Sequence, residues 1–317
     1  MSSEPCTFIV FGATGHLARN KLLPAMYHLE EAERIPDKTS IIGFTRQALD
    51  DDSWNHQVNE ILTDRARDGL KADVLASLRA RMHMLSGDMT DAESLKELKE
   101  YIDSNESISN NLIFYMAIPP SLYARVAQAL HDAGLSDENG GWRRIVIEKP
   151  FGYDTESAMI LNESLHKHFS ENQIFRIDHY LGKSMVQNVL VFRFANLMLE
   201  PIWNRNHIDH IQITLSESHG IADRAAYYDD AGALRDMLQS HLLQMLTLVA
   251  MEPPASLDAE SLRDEKVKVL KSIRPITRRS VNAHAYRAQY AAGNINGESV
   301  PGYLSEQNIP ANSVTET

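Results

Sequence analysis

Apolar residues in the first half of the chain fall in short unbroken runs, Ile9-Val10-Phe11 and Ile145-Val146-Ile147 among them, separated by stretches where apolar positions recur at helical spacing. An unbroken run marks a strand covered on both faces, as in a parallel sheet, because a half-exposed strand would alternate with polar residues. The runs predict strands at 7–11, 40–45, 83–85, 112–118, 144–147 and 173–177, with amphipathic helices between them. Alternation of this kind predicts a doubly wound, Rossmann-like α/β domain. After Asp178 the texture changes. A helical stretch over 183–194 precedes Ile208-Asp209-His210-Ile211-Gln212-Ile213-Thr214-Leu215, whose alternation predicts an antiparallel strand with one solvated face. Long helices are expected over 231–251, stopped by Pro253-Pro254, and over 257–270. The chain thus divides into a Rossmann-like domain at 1–177 and an α+β domain with an antiparallel sheet at 178–317.

Composition narrows the function classes. The 317 residues are enough for about two domains, and 43% hydrophobic with 23% charged residues is ordinary for a globular chain. A formal net charge of −12 argues against a broad nucleic-acid face, which needs clustered Lys and Arg. Anionic ligands must be caught locally. The single cysteine, Cys6, excludes an internal disulfide or a Cys-based zinc site and suggests a reducing compartment. No apolar run approaches the roughly 18 residues of a membrane span, and no basic residue precedes Phe8-Ile9-Val10-Phe11 as in a signal peptide. The expectation is a cytoplasmic protein with a small-molecule ligand and neither membrane nor nucleic-acid partner.

Candidate chemistry begins at Phe11-Gly12-Ala13-Thr14-Gly15-His16, a glycine turn between the first strand and a helix starting near His16. Glycines there let the backbone approach a pyrophosphate, which the helix N-terminus holds; the bland alternative is a plain turn. At the end of the second strand, where NAD-binding folds commonly carry an acid, this chain has Thr45-Arg46-Gln47. Arg46 suits a 2′-phosphate and favours NADP, although a solvated loop arginine would look the same. Lys149 ends another buried strand, and Asp178-His179-Tyr180-Leu181-Gly182-Lys183 concentrates polar side chains at a strand-to-helix junction suited to gripping an anion. His241 sits in an apolar helical run. It is a core histidine unless a carboxylate reaches it, in which case it becomes a base that works near neutral pH, and Asp178 is the candidate carboxylate. Asp236, five residues earlier and about 140° around an α-helix, does not pair with it by spacing and is assigned to substrate. Neither His166 with His168 nor His207 with His210 has metal-ligand spacing, so no metal site is expected. The basic residues between Lys266 and Arg279 are taken as a solvated face, with steering of an anionic substrate as the alternative.

Three stretches carry a family resemblance: Gly12 to Ala18, Glu148-Lys149-Pro150-Phe151-Gly152 and, most specifically, Arg176-Ile177-Asp178-His179-Tyr180-Leu181-Gly182-Lys183. They resemble the glucose-6-phosphate 1-dehydrogenases. Pro201-Ile202-Trp203-Asn204, the 235–244 stretch and Tyr286-Arg287-Ala288-Gln289-Tyr290 extend the likeness along the chain. The resemblance implies oxidation of glucose 6-phosphate at C1 to 6-phosphogluconolactone with hydride transfer to NADP⁺, the opening step of the pentose phosphate route. It implies His241 as general base oriented by Asp178, with His179, Tyr180 and Lys183 on the substrate phosphate. Lys149 would lie beside the sugar and the cofactor, Glu217 and Asp236 on sugar hydroxyls, and Gly12, Thr14, Gly15, Arg46 and Gln47 on the dinucleotide. Family members are expected to be homodimers. His16 stands where the family usually has Asp, and Ser184 where it has Glu. The likeness also implies that roughly the last third of a usual member, with several sheet strands and much of the dimer surface, is missing, which leaves a catalytically silent nucleotide-binding fragment as one alternative. A related dinucleotide-dependent sugar oxidoreductase is another, although it does not account for the 178–183 run.

Overall fold

A computed structural model describes residues 4–65, 69–217, 220–221 and 225–317. Packing divides the chain into two compact units, Met1–Ile177 and Asp178–Thr317. The first is built on six parallel strands, β1 (Thr7–Phe11), β2 (Ser40–Thr45), β3 (Met82–Ser86), β4 (Leu112–Met116), β5 (Arg143–Ile147) and β6 (Ile174–Arg176), in the order β3-β2-β1-β4-β5-β6. Each lies within a few residues of an apolar run predicted above. Side chains alternate between faces along a strand, so Ile9 and Phe11 enter one core with α4 (Ala92–Asp103) and α5 (Tyr123–Asp132). Val10 enters the other, with α1 (Leu23–Glu31), α2 (Asp51–Arg65) and α3 (Ala72–Ala80). This strand order reverses direction between β1 and β4, and in open α/β sheets ligands bind at that switch point, beyond the carboxyl ends of the strands.

One junction in this unit carries a pH dependence. His131, near the end of α5, shares a hydrogen bond of 2.9 Å with Ser136, and its ring lies 5.0 Å from that of His168. Nδ1 of His168 is buried and has no hydrogen-bond partner among the described residues. Burial, reinforced by the adjacent His131, pushes the His168 imidazole below its ordinary value of 6.5. A depressed histidine pKa means that the unfolded chain binds the proton first, so stability present above pH 6.5 is lost as pH falls through the folded value. Thermal unfolding of the wild type is therefore expected to drop more steeply below pH 6.5 than that of His168→Gln. Parallel curves would contradict this.

The second unit is mainly helical, with α7 (Ser184–Phe194), α8 (Ala225–Ala233), α9 (Leu243–Ala250), α10 (Ala259–Ser272) and α11 (Val281–His284). Val186 of α7 packs with Leu248 and Met251 at the end of α9. Arg193 of α7 is buried and donates to the carbonyls of Leu248 and Met251, both at 2.7 Å, tying down carbonyls that a helix end leaves without partners. The α7–α9 contact brings the turn before α7 against the helix before α9, and both halves of the candidate site sit on those segments.

Three features depart from the pattern. Residues 208–217 form no strand and are mostly exposed; a strand needs a hydrogen-bonded neighbour, and none among the described residues pairs with this stretch. The antiparallel sheet is instead a hairpin, β7 (Gly293–Ile295) with β8 (Glu298–Val300). Its two-residue turn, Asn296-Gly297, has positive φ at both positions (53° and 89°), as an asparagine-glycine hairpin turn requires. Finally, the expected 231–251 helix starts after a break at Gly232 (φ 68°, ψ 170°), and its first part, Leu234–Leu242, is a π-helix.

Candidate active site

Asp178 caps the helical turn His179–Gly182, accepting the Tyr180 backbone N–H on Oδ1 at 3.0 Å. The same oxygen lies 2.6 Å from Nδ1 of His241, whose side chain is 1% exposed. With Nδ1–H donated to the carboxylate, Nε2 is left as the proton acceptor, the tautomer a base requires. The Tyr180 ring stacks on the His241 imidazole at 4.0 Å and 20°, and the His179 ring meets it edge-on at 4.6 Å. Nζ of Lys183 rests 3.4 Å from the Tyr180 ring centroid on a cation–π contact. Asp178, His179, Tyr180, Lys183 and His241 thus form one group, assembled from segments about 60 residues apart.

Asp236 is 4% exposed and accepts the Tyr227 hydroxyl at 3.3 Å. The α-helical angle separates it from His241, but the π-helix does not. Its hydrogen bonds run from i to i+5, so residue 241 is the one-turn neighbour of 236 and both face inward. Glu217, by contrast, is exposed on the unpaired 208–217 stretch. Lys266 was read as part of a solvated face. It lies instead on the side of α10 that carries Leu262 and Val269 into the packed cluster and is half-buried. Burial pushes its ammonium pKa down while the charge of Asp178 opposes the shift. The apolar positions around it carried this signal, since 262, 266 and 269 share one helical face.

In the first unit, Gly12, Thr14, Gly15 and Arg46 line a cavity of about 410 Å³ at the switch point. Gly12 has φ 78°, and a Cβ there would stand 2.5 Å from the Ala117 carbonyl oxygen after β4, so no other residue fits. Thr14 Oγ1 lies 3.3 Å from Thr45 Oγ1, joining the glycine turn to the end of β2. Gln47 is exposed beside Arg46 but is not among the cavity walls. Asp88, Thr90 and Arg125, which the sequence analysis did not single out, are. Asp88 follows β3 and could have been found by the same strand-end rule that picked Arg46. Lys149 follows β5 beside Glu148, whose carboxylate accepts the Tyr115 hydroxyl and whose carbonyl accepts that of Tyr123 at 3.2 Å. Arg176 of the motif ties β6 to α6 (Thr155–His166), donating to Glu171 at 2.8 Å and to Asn162 at 2.6 Å. His16 and Ser184 are both exposed. Among the described residues no helix is long and apolar enough to cross a membrane.

The chain is similar to known proteins along its length. Residues 9–188 match the family model for the glucose-6-phosphate dehydrogenase NAD binding domain, and residues 190–317 match that for the C-terminal domain. The glucose-6-phosphate 1-dehydrogenase of Aggregatibacter actinomycetemcomitans is 43% identical across 100% of the chain and 64% of its own length. That of Treponema pallidum (strain Nichols) is 47% identical across 99% of the chain and 62% of its own length. The chain therefore spans a little under two thirds of these relatives. Among solved structures, the Mycobacterium avium enzyme superposes with a TM-score of 0.85 at 36% identity, covering 99% of this chain and 64% of that one. A glucose-6-phosphate dehydrogenase in complex with glucose 6-phosphate gives 0.87 at 35% identity with the same coverage.

Proposed function

The chain belongs to the glucose-6-phosphate dehydrogenase family, and on that footing we propose that it oxidises glucose 6-phosphate at C1 to 6-phosphogluconolactone, with NADP⁺ as the acceptor. The observation that carries this reading is the Asp178–His241 pair, a buried imidazole held by a carboxylate at 2.6 Å. His241 Nε2 takes the proton of the C1 hydroxyl, and the C1–H bond gives up hydride more readily as that oxygen becomes anionic. Asp178 holds the tautomer and offsets the charge of the imidazolium that forms. The Tyr180 ring keeps the imidazole plane in place from one face. His179, Tyr180 and Lys183 are assigned to the substrate phosphate, where Lys183 can exchange a weak cation–π contact for a charge-assisted bond. Asp236, Glu217 and Lys149 are assigned to the sugar, and Lys149 also to the cofactor.

Bound NADP⁺ would supply the hydride acceptor. The residues present fit it: Gly12, at φ 78° and pressed against the Ala117 carbonyl, makes the tight turn that lets the backbone approach a pyrophosphate, and the end of β2 presents Arg46 where a carboxylate would select a 2′-hydroxyl. Thr14, Gly15 and Gln47 complete the proposed contacts. If Arg46 reads the 2′-phosphate, Arg46→Ala should weaken NADP⁺ by about 1.5–3 kcal/mol, the range for a charge-assisted hydrogen bond, and leave NAD⁺ nearly unchanged. Calorimetric titration checks this, and equal losses for both cofactors would contradict it.

The reading is tested by following NADPH absorbance with purified, size-checked chain, glucose 6-phosphate and NADP⁺, with glucose and NAD⁺ as controls. Phosphate-dependent turnover supports it. A second reading, a nucleotide-binding piece without turnover, is favoured by the unpaired 208–217 stretch that carries Glu217. Tight NADPH binding by folded chain with no turnover would select that reading.

A further inference from the structure

We propose that Arg125 is a second reader of the cofactor's 2′-phosphate, forming with Arg46 a two-guanidinium rim whose net positive charge gives the first unit its preference for NADP⁺ over NAD⁺. The inference rests on the dinucleotide reading of the switch-point cavity and adds a determinant of its selectivity. Among the described residues, three ionisable side chains line that cavity: Arg46 after β2, Asp88 after β3, and Arg125 near the start of α5. Arg125 stands exposed between the buried Tyr123 and Val126, and its direction is fixed by a partner. Nη2 donates to the Thr90 hydroxyl at 3.2 Å. That hydroxyl in turn donates to Asp88 Oδ1 at 2.8 Å, and the Thr90 backbone N–H donates to the same oxygen at 2.9 Å. Thr90 is thus at once an acceptor for the guanidinium and a donor to the carboxylate.

Charge balance then decides what the rim can hold. The hydrogen bonds from Thr90, aided by the fields of Arg125 and Arg46, keep the Asp88 carboxyl below its ordinary range, so it stays ionised at neutral pH. Arg46 with Asp88 alone would be neutral, and a dianionic phosphomonoester would gain from one what it loses to the other. With Arg125 the rim carries a net single positive charge. A guanidinium has five N–H donors, so its bond to Thr90 leaves others for phosphate oxygens.

Calorimetric titration of the purified chain with NADP⁺, NAD⁺, 2′,5′-ADP and 5′-ADP tests the proposal, using wild type, Arg125→Gln, Arg125→Lys and Arg46→Ala, each checked for an unchanged melting temperature. Arg125→Gln is expected to weaken NADP⁺ and 2′,5′-ADP by about 10-fold, the lower end for a charge-assisted contact. NAD⁺ and 5′-ADP should stay within about twofold, Arg125→Lys should keep most of the affinity, and the 10-fold loss should shrink in high salt, as a screened interaction must. Equal weakening of phosphorylated and unphosphorylated ligands would overturn the proposal by assigning Arg125 to the adenosine. Unchanged affinities in Arg125→Gln beside a loss in Arg46→Ala would overturn this inference alone. Unchanged affinities in both variants would overturn the 2′-phosphate role of Arg46 as well as this proposal, and no binding by wild type would overturn the dinucleotide reading and this proposal with it.

Discussion

His241→Asn should lower kcat for glucose 6-phosphate oxidation by about 10²–10⁴-fold, the contribution of a positioned general base, while NADPH binding stays within about twofold. Asparagine is smaller and loses the ring contacts with Tyr180 and His179, but its amide nitrogen takes the place of Nδ1 and can still donate to Asp178. What disappears is the proton acceptor at the Nε2 position. Asp178→Asn should also cost turnover, for a different reason: an amide can donate to Nδ1 and thereby favour the tautomer whose Nε2 carries the proton. Stopped-flow or steady-state absorbance with fluorescence titration of NADPH separates the two quantities. Turnover comparable to wild type in His241→Asn would remove the base assignment, whereas a matched loss of NADPH affinity would indicate damage to the fold.

The second large effect is expected at Gly12. Its φ of 78° lies in the left-handed region, and a Cβ would stand 2.5 Å from the Ala117 carbonyl oxygen. A side chain there incurs about 1–2 kcal/mol of backbone strain and about 1–3 kcal/mol of overpacking. Gly12→Val is accordingly expected to lower the melting temperature by about 5–15 °C, at about 2–4 °C per kcal/mol for a unit of this size. NADP⁺ affinity should be lost as well, because relief of the clash moves the β1 turn away from the end of β4. Differential scanning fluorimetry with and without NADP⁺ reads both effects. A melting temperature within about 1 °C of wild type, still raised by NADP⁺, would count against the close approach as described.

The first unit was legible because its signal is local. A strand covered on both faces is apolar throughout, so β1 and β2 could be placed from their own residues. Alternation at 208–215 is a weaker kind of information: it describes a strand's two faces but not whether a neighbour exists to pair with it. The hairpin at 293–300 went unpredicted for the opposite reason. Its turn residues are diagnostic, yet its strands are almost fully exposed and carry no apolar pattern. In the candidate site, the turn from Asp178 to Lys183 stood out by its density of polar groups, and Asp178 was the carboxylate proposed for His241. The face shared by Asp236 and His241 was not legible, since helical phase was counted at 100° per residue and nothing in Leu234–Leu242 announces a π-helix. Arg125 was invisible for a simpler reason. An arginine on an exposed helical position is ordinary until the fold shows which cavity it borders.

The π-helix has a consequence for how this chain can change. Substitutions act on one side chain at a time, whereas removing a single residue between 236 and 241 would let the segment take α-helical winding with Asp236 and His241 four positions apart, still one turn from each other. Thr247 and Leu248, both buried, would keep the faces they now present, because the α turn that replaces the π turn is shorter by the one residue removed. Spacing and winding are therefore linked in this site: five positions apart in a π turn, or four in an α turn, keeps the two side chains on one face, and a substitution that forced α winding at the present spacing would separate them.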